Sequence, residues 1–286
     1  MKKLMVIITL VCTVIYMAQS SKGRSPRGSL FPPEVTTVIK IEKNNERKPA
    51  INPNLIDKSS SLLNAFIMGS SSFREKEFDN PRAKIELKEV NQIFTQRFSL
   101  DKNSLQYTDS LTKNTYDSYF SLDKLNLGLI HENFLSDTSS VFIYINTSFL
   151  YDKNENEFYL LTSSCDNNNY KNVGVRLNEL IESLSKMHRD NKFKNFIVIL
   201  EMKIIGDKFD DYFEKFKTIS YNLIIQSLQK NSINSSTERI ADIINVPANE
   251  SVKNAVAFLQ IIKSEIIKAK SNNELYLFGP ISNESN

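Results

Sequence analysis

The fold is decided by two apolar pentapeptides, VFIYI at 141–145 and FIVIL at 196–200. A segment rich in Asp, Glu and Asn follows the first run, and a helix is predicted over Val173–Arg189 before the second. Both runs are apolar on both faces, as strands of a buried parallel sheet are. Strand, helix and strand predict a parallel βαβ unit with a right-handed crossover. Because ligands bind beyond the carboxyl ends of such strands, we expect any site in the loops at Asn146–Phe149 and Glu201–Gly206.

The flanking segments extend this unit into a larger α/β order. The other predicted strands are Leu62–Met68, Ser104–Tyr107 and Leu275–Phe278. The other predicted helices are 81–98, 119–134, 209–229, 237–245 and 252–270. The apolar stripe of the first helix consists of Ile85, Val90, Ile93, Phe94 and Phe98. This order predicts one α/β domain, a three-layer sandwich with a mainly parallel sheet flanked by helices.

Residues 1–20 have the pattern of a secretory signal peptide. Lys2 and Lys3 precede an apolar core at 4–17, and a small-x-small cleavage signature, AQS at 18–20, follows it. The apolar core is shorter than the roughly 20 residues of a spanning helix, although an uncleaved signal anchor is the alternative. Residues 21–57 contain five prolines and predict a loosely ordered lead-in to a domain at 58–286. We therefore expect the protein in the secretory pathway, either in the endoplasmic reticulum lumen or secreted.

The charge balance and the inventory of side chains argue against several function classes. The net charge is +3, and it falls to about +1 once the two leader lysines are removed, which gives no electrostatic case for nucleic acid. Two histidines and two cysteines cannot form a metal site of known spacing. The sequence contains no glycine-rich phosphate loop. We therefore expect no metal, no cofactor and no nucleic-acid partner.

Cys165 is the lone cysteine of the chain once the predicted leader is removed. It is either buried and inert, paired to another chain, or a nucleophile, and a Cys–His dyad would require His131 or His188. Nothing in the sequence brings these three residues together. Four Asn-x-Ser/Thr sequons fit a secretory route, although the first is an awkward glycan site at a strand end. The possible N-glycosylation sites are Asn146, Asn234, Asn249 and Asn283.

Three segments follow one another along the chain as strand, helix and strand. They are VFIYINTSF at 141–149, a predicted helix whose end reads MHRDNKF at 187–193, and FIVILEMK at 196–203. Together they resemble the legumain-like group of caspase-fold cysteine peptidases, which includes the catalytic subunit of the GPI-anchor transamidase. In that group a Gly-His-Gly phrase after the first strand carries the catalytic histidine, and an Asp-x-Cys phrase after the second carries the nucleophile. Weaker similarities occur at 64–73 and 276–279. The resemblance covers about residues 60–230 and implies a caspase-like fold.

The catalytic positions of the family hold other residues here. The histidine position falls on Ser148, and the flanking glycines fall on Thr147 and Phe149. The nucleophile position falls on Lys203, and its Asp neighbour on Glu201. Because the reaction needs a thiolate and a base, the resemblance implies a scaffold without its catalytic dyad.

We therefore expect a catalytically inactive homologue that acts as a binding or assembly subunit in the secretory pathway, in GPI-anchor attachment for example. Its partners are expected to be proteins, with the membrane subunits of a transamidase-like complex as candidates. Two alternatives stay open: an active but divergent transamidase or cysteine endopeptidase that uses Cys165, and a secreted interaction protein unrelated to the family. A Ser148–Lys203 pair working as an inverted nucleophile–base dyad is a further, minor hypothesis.

Overall fold

An eight-stranded sheet forms the centre of the fold. The computed structural model describes residues 63–98, 100, 104–121, 140–191, 193–206, 211–228, 239–245, 255–270 and 275–284. The predicted signal peptide, the lead-in and most of the predicted helix 119–134 lie outside these residues. The strands are β1 (Leu63–Gly69), β2 (Leu105–Thr108), β3 (Ser140–Asp152), β4 (Glu157–Leu160), β5 (Val175–Arg176), β6 (Asn195–Ile205), β7 (Asn222–Leu228) and β8 (Leu275–Phe278).

The sheet is mixed and mainly parallel, with β3 and β6 at its centre. Its main path runs β2-β1-β3-β6-β7-β8, in which only β8 pairs antiparallel to its neighbour. Met68, Ile145 and Leu200 lie side by side in the register of β1, β3 and β6. A small antiparallel extension, β4 with β5, pairs with the carboxyl-terminal part of β3. The expected α/β sheet, with the two apolar pentapeptides at its centre, is therefore confirmed.

Helices cover both faces of this sheet. The α-helices are α1 (Pro81–Phe98), α2 (Lys113–Phe120), α3 (Tyr170–Val173), α4 (Leu177–Asn191), α5 (Ile240–Asn245), α6 (Ala255–Ala269) and α7 (Pro280–Glu284). Two 3₁₀ helices span Lys76–Phe78 and Tyr212–Thr218. Alternate strand residues enter two separate cores: Phe142 packs in one core with α1, α5 and α6, and Ile143 packs in the other with α2 and α4. This is the predicted three-layer arrangement.

One predicted element is wrong. The expected helix at 209–229 is instead the 3₁₀ helix Tyr212–Thr218 followed by strand β7. The successive residues Leu223, Ile224 and Ile225 are all fully buried, because β7 lies between β6 and β8 with a core on each face. A short apolar run fits either a buried helix or a buried strand, and here the neighbouring strands decide the outcome.

Two smaller predictions are also corrected. In α1, Val90 and Phe94 are buried as expected, but Ile85 is 56% exposed and does not belong to the core. In the described part of the predicted helix 119–134, α2 ends at Phe120. Helix α2 begins at Lys113, before the predicted start at 119. The Thr112 side chain accepts a hydrogen bond from the Thr115 amide and so caps the first turn of α2.

Candidate functional site

The segments expected to be loops at the carboxyl edge of the sheet are parts of strands. Strand β3 continues to Asp152 and β6 to Ile205, so Asn146–Phe149 and Glu201–Ile205 are paired residues. The strands extend because β6 pairs with β3 over its whole length and β4 pairs with β3 on the other side from Phe149 onward. Backbone groups that a loop would leave to water are thus satisfied inside the sheet.

Ser148 and Lys203, the two positions at which the sequence resemblance implies a catalytic dyad, are direct register partners on β3 and β6. The Ser148 hydroxyl is fully buried and donates a 2.6 Å hydrogen bond to the carbonyl oxygen of Phe78. The Lys203 ammonium donates to the carbonyl oxygens of Asp79, at 2.5 Å, and Glu77, at 3.2 Å. Both side chains therefore hold the β1–α1 loop, residues 70–80, over the ends of the strands.

These contacts leave neither side chain in a state suited to acyl transfer. A nucleophilic hydroxyl must give its proton to a base, but the Ser148 proton is directed at a backbone carbonyl. An ammonium that donates to carbonyls has no lone pair with which to accept a proton, so Lys203 is not placed as a base. The arrangement can join the loop to the sheet, and it lacks the geometry of a nucleophile–base pair.

The positions that flank Ser148 are filled as well. The Thr147 hydroxyl is buried and donates to the carbonyl oxygen of Leu161 at 3.0 Å. The Phe149 ring is fully buried in the core on the α2 and α4 face. The resemblance implies glycine at both positions, which would let a substrate backbone approach closely, whereas both positions here carry buried side chains.

Next to the Ser148–Lys203 pair lies a buried polar cluster, which we define as Arg82, Glu86, Tyr144, Asn146 and Glu201. The Tyr144 hydroxyl donates to Glu201 at 2.7 Å, and the Asn146 amide donates to Glu86 at 2.8 Å. Arg82 contacts Glu86 at 2.5 Å and Glu201 at 3.3 Å. All members except Arg82 are fully buried. Two carboxyl groups thus share a single guanidinium inside the protein.

The protonation state of this cluster follows from its burial. Desolvation, the nearby charge of Glu86 and a hydrogen bond with Glu86 together raise the pKa of Glu201 well above its usual range. Burial therefore favours the protonated form of Glu201. Arg82 lies against both carboxyl groups of the cluster. A neutral buried carboxyl group of this kind can act as a hydrogen-bond donor.

Arg82 and Glu86 are not among the site residues predicted from the sequence, although a sequence signal for them exists. Glu86 lies on the face of α1 that buries Ala83, Val90 and Phe94, so it occupies a core position with a charged side chain. An acid in an apolar stripe requires a buried partner, and Arg82 stands four residues before it. That combination predicts a buried ion pair on α1, but it does not predict Glu201, which lies on β6.

Cys165 is fully buried and lies in a small apolar cluster with Phe73, Phe78 and Tyr159. The backbone amide of Thr162 donates to its sulfur at 3.3 Å. Burial raises the pKa of the Cys165 thiol, which disfavours the thiolate that a nucleophile requires. Its surroundings agree with the buried and inert alternative.

The structure does not bring His188 to Cys165. His188 stacks on Phe196, near the beginning of β6, with a centroid distance of 5.3 Å. The segment that leads to Cys165 lies instead beside Thr147, which pairs with Met202. Six residues of strand separate Phe196 from Met202, a distance of about 20 Å. His131 lies outside the described residues.

The four sequons have different outcomes. Asn146 is fully buried, and its amide nitrogen already donates to Glu86 and to Tyr144, so a glycan at this nitrogen is incompatible with the folded sheet. The inclusion of Asn146 among the possible glycan sites is therefore corrected. Asn283 is exposed on α7. Asn234 and Asn249 lie outside the described residues.

Within the described ranges, no group of three or more His, Cys, Asp or Glu side chains is placed to hold a metal ion. None of the helices that the structure describes combines the length and apolarity needed to cross a membrane. No protein-family model matches the sequence, and no curated protein matches it.

Proposed function

We propose that this chain is a non-catalytic binding or assembly protein of the secretory pathway, built on a scaffold of the legumain and GPI-anchor transamidase type. One observation carries the proposal. Ser148 and Lys203, the two positions at which that family places its histidine and cysteine, are both committed to backbone carbonyls of the loop at 70–80. A scaffold whose catalytic positions hold a loop in place is suited to presenting a surface.

The sheet gives further support to the resemblance. In the family, the strands that carry the histidine and the cysteine must be neighbours, because the two side chains react together. Here β3 and β6 are adjacent, and Ser148 pairs directly with Lys203. This alignment is what the resemblance requires. Adjacent parallel strands paired through their apolar runs also produce it, so the alternative of an unrelated secreted interaction protein stays open.

The alternative of an active enzyme that uses Cys165 has less support from the geometry. The thiol is buried among aromatic side chains, and the described histidine, His188, lies on the order of 20 Å away along the sheet. A nucleophile and its base must come within hydrogen-bond reach, directly or through one water.

Co-purification tests the proposed role. A tagged chain would be expressed in its own cell type and extracted from membranes with mild detergent, and the proteins bound to it would be identified by mass spectrometry. We expect a stable assembly that contains multi-pass subunits of a transamidase complex, while an unrelated tagged secretory protein recovers none of them. Release of the chain into the medium as a free monomer, with no such subunits bound in the cell, would contradict the assembly role.

A further inference from the structure

A cleft of about 710 Å³ opens on the α2 and α4 face, away from the Ser148–Lys203 pair. It lies between α4, which it follows from Asn178 to Arg189, and the segment 215–220, with Phe193 also in its lining. Phe193 precedes β6 and Ser220 precedes β7, so the cleft is at the amino-terminal edge of the parallel strands. Its volume is within the range typical of small-molecule sites, which is about 300–1,000 Å³.

The floor of the cleft is apolar. Ile181, Phe193 and Phe216 line it, and each of these side chains is at least nine-tenths buried by the rest of the chain. Ile219 adds a partly buried side chain to the same wall. A ligand with a hydrocarbon or aromatic body would remove the remaining apolar surface from water.

The charged groups at the rim have a net charge of +1. Arg189 and Lys215 are the cations of the lining, and Glu182 is its acid. Lys215 has no ion pair within the part of the chain that the structure describes. Its ammonium lies 3.5 Å from the centroid of the Tyr212 ring. Desolvation lowers the pKa of Lys215, and the nearby Glu157 side chain opposes this shift to a smaller extent. An anion at the rim would supply the charge partner that Lys215 lacks.

His188 adds an unsatisfied polar group to the lining. Its ring stacks on Phe196, and its Nδ1 is buried with no hydrogen-bond partner among the described residues. Burial lowers the pKa of His188, so the imidazole is neutral at neutral pH and contributes a hydrogen bond rather than a charge. The ligand therefore meets two cations and one neutral imidazole.

We propose that this cleft binds a small monoanionic amphiphile, a carboxylate with an apolar body, with the carboxylate at Lys215 and the body over Phe193 and Phe216. A single negative charge matches the net charge of the rim. The proposal does not depend on the loss of catalysis or on any assembly.

Calorimetric titration of the purified protein with octanoate, below its micelle concentration, tests this proposal. Octanol is the uncharged ligand control. Lys215→Met is the main variant, and Lys217→Met is its matched control, because Lys217 is an exposed lysine of the same 3₁₀ helix that pairs with Glu214 and does not line the cleft. Arg189→Gln is a second variant, and its side chain is 71% exposed, so the fold does not depend on it.

We expect octanoate to bind and octanol to bind at least about tenfold more weakly. Lys215→Met should weaken octanoate about tenfold and Arg189→Gln severalfold, while Lys217→Met leaves the affinity unchanged. Bound octanoate should also shift the His188 ring signals in NMR spectra. The proposal is overturned if octanoate does not bind at millimolar concentration, if octanol binds equally well, or if Lys217→Met weakens binding as much as Lys215→Met does.

Discussion

The buried pair of Glu86 and Glu201 makes the stability of this protein depend on pH in an unusual direction. An ordinary Glu has a pKa of about 4.3 in an unfolded chain, whereas the pKa of Glu201 is raised well above that value in the folded protein. Above about pH 4.3 the folded state therefore binds one proton more than the unfolded state does. The free energy of unfolding should then fall as the pH rises towards the raised pKa, by as much as about 1.4 kcal/mol per pH unit.

Glu201→Gln removes this titration and keeps the shape of the side chain. The amide oxygen can accept the hydrogen bond from the Tyr144 hydroxyl, and the amide nitrogen is able to donate to a carboxylate such as Glu86. Arg82 retains its contact with Glu86. We expect the variant to lose the slope of stability against pH, and so to be more stable than the natural protein at neutral and higher pH.

Glu201→Ala should behave differently, because it leaves a cavity and takes a partner from both Tyr144 and Arg82. The expected loss is roughly 1–3 kcal/mol, the cost of leaving a buried hydrogen-bonding group without its partner. Urea denaturation followed by circular dichroism, from about pH 5 to pH 8, measures the free energy of unfolding of the natural protein and of each variant. Glu89→Gln is the matched control, since Glu89 lies on the same helix but is 41% exposed and pairs with Arg239.

The decisive quantity is the slope of the free energy of unfolding against pH, compared between the natural protein and Glu201→Gln. Other groups titrate equally in both proteins and cancel in this comparison. A difference near 1.4 kcal/mol per pH unit, absent for Glu89→Gln, supports a shared proton in the buried cluster. Equal slopes for the natural protein and Glu201→Gln would refute the reasoning. They would mean that both carboxyl groups are charged in the folded state.

Three further predictions concern the closed carboxyl edge of the sheet. Gly69→Ala should destabilise the protein by at least about 2 kcal/mol in urea denaturation, because a Cβ there would lie 1.8 Å from the Asn146 carbonyl oxygen, and unchanged stability would contradict this packing. Cys165 should react with Ellman's reagent in the folded protein far more slowly than in urea, and equally fast labelling would show that the thiol is accessible. Lys203→Met removes two charge-assisted hydrogen bonds and should cost about 1.5–3 kcal/mol, with faster amide exchange in the loop at 70–80, whereas an unaltered loop would show that Lys203 does not hold it.

Much of the fold could be predicted from residue patterns. The apolar pentapeptides lie in the amino-terminal halves of β3 and β6, the helix at 81–98 has the predicted ends, and β8 has the predicted bounds Leu275–Phe278. These elements share strong local signals, such as Pro81 at a helix start and apolar runs bounded by turn residues. Strand β7 was missed because its apolar run is short and follows a region with helix-like spacing.

The ends of β3 and β6 could not be predicted, because their polar residues find partners far away in the sequence. Asn146 is hydrogen-bonded to Glu86, 60 residues earlier, and Lys203 binds the carbonyl of Asp79, 124 residues earlier. In a sequence, a polar residue after an apolar run indicates the end of a strand. In the folded chain, α1 and the loop at 70–80 supply the partners, so the strands continue.

The central claim, that the Ser148–Lys203 edge is not catalytic, is tested most directly by transamidation itself. The purified protein would be incubated with a library of acyl-donor peptides and hydroxylamine as the acceptor, and peptide hydroxamates would be measured by mass spectrometry against a protein-free control. We predict no hydroxamate above that control for the natural protein, Ser148→Ala or Cys165→Ser. Hydroxamate formed by the natural protein and lost in either variant would contradict the account and identify the nucleophile.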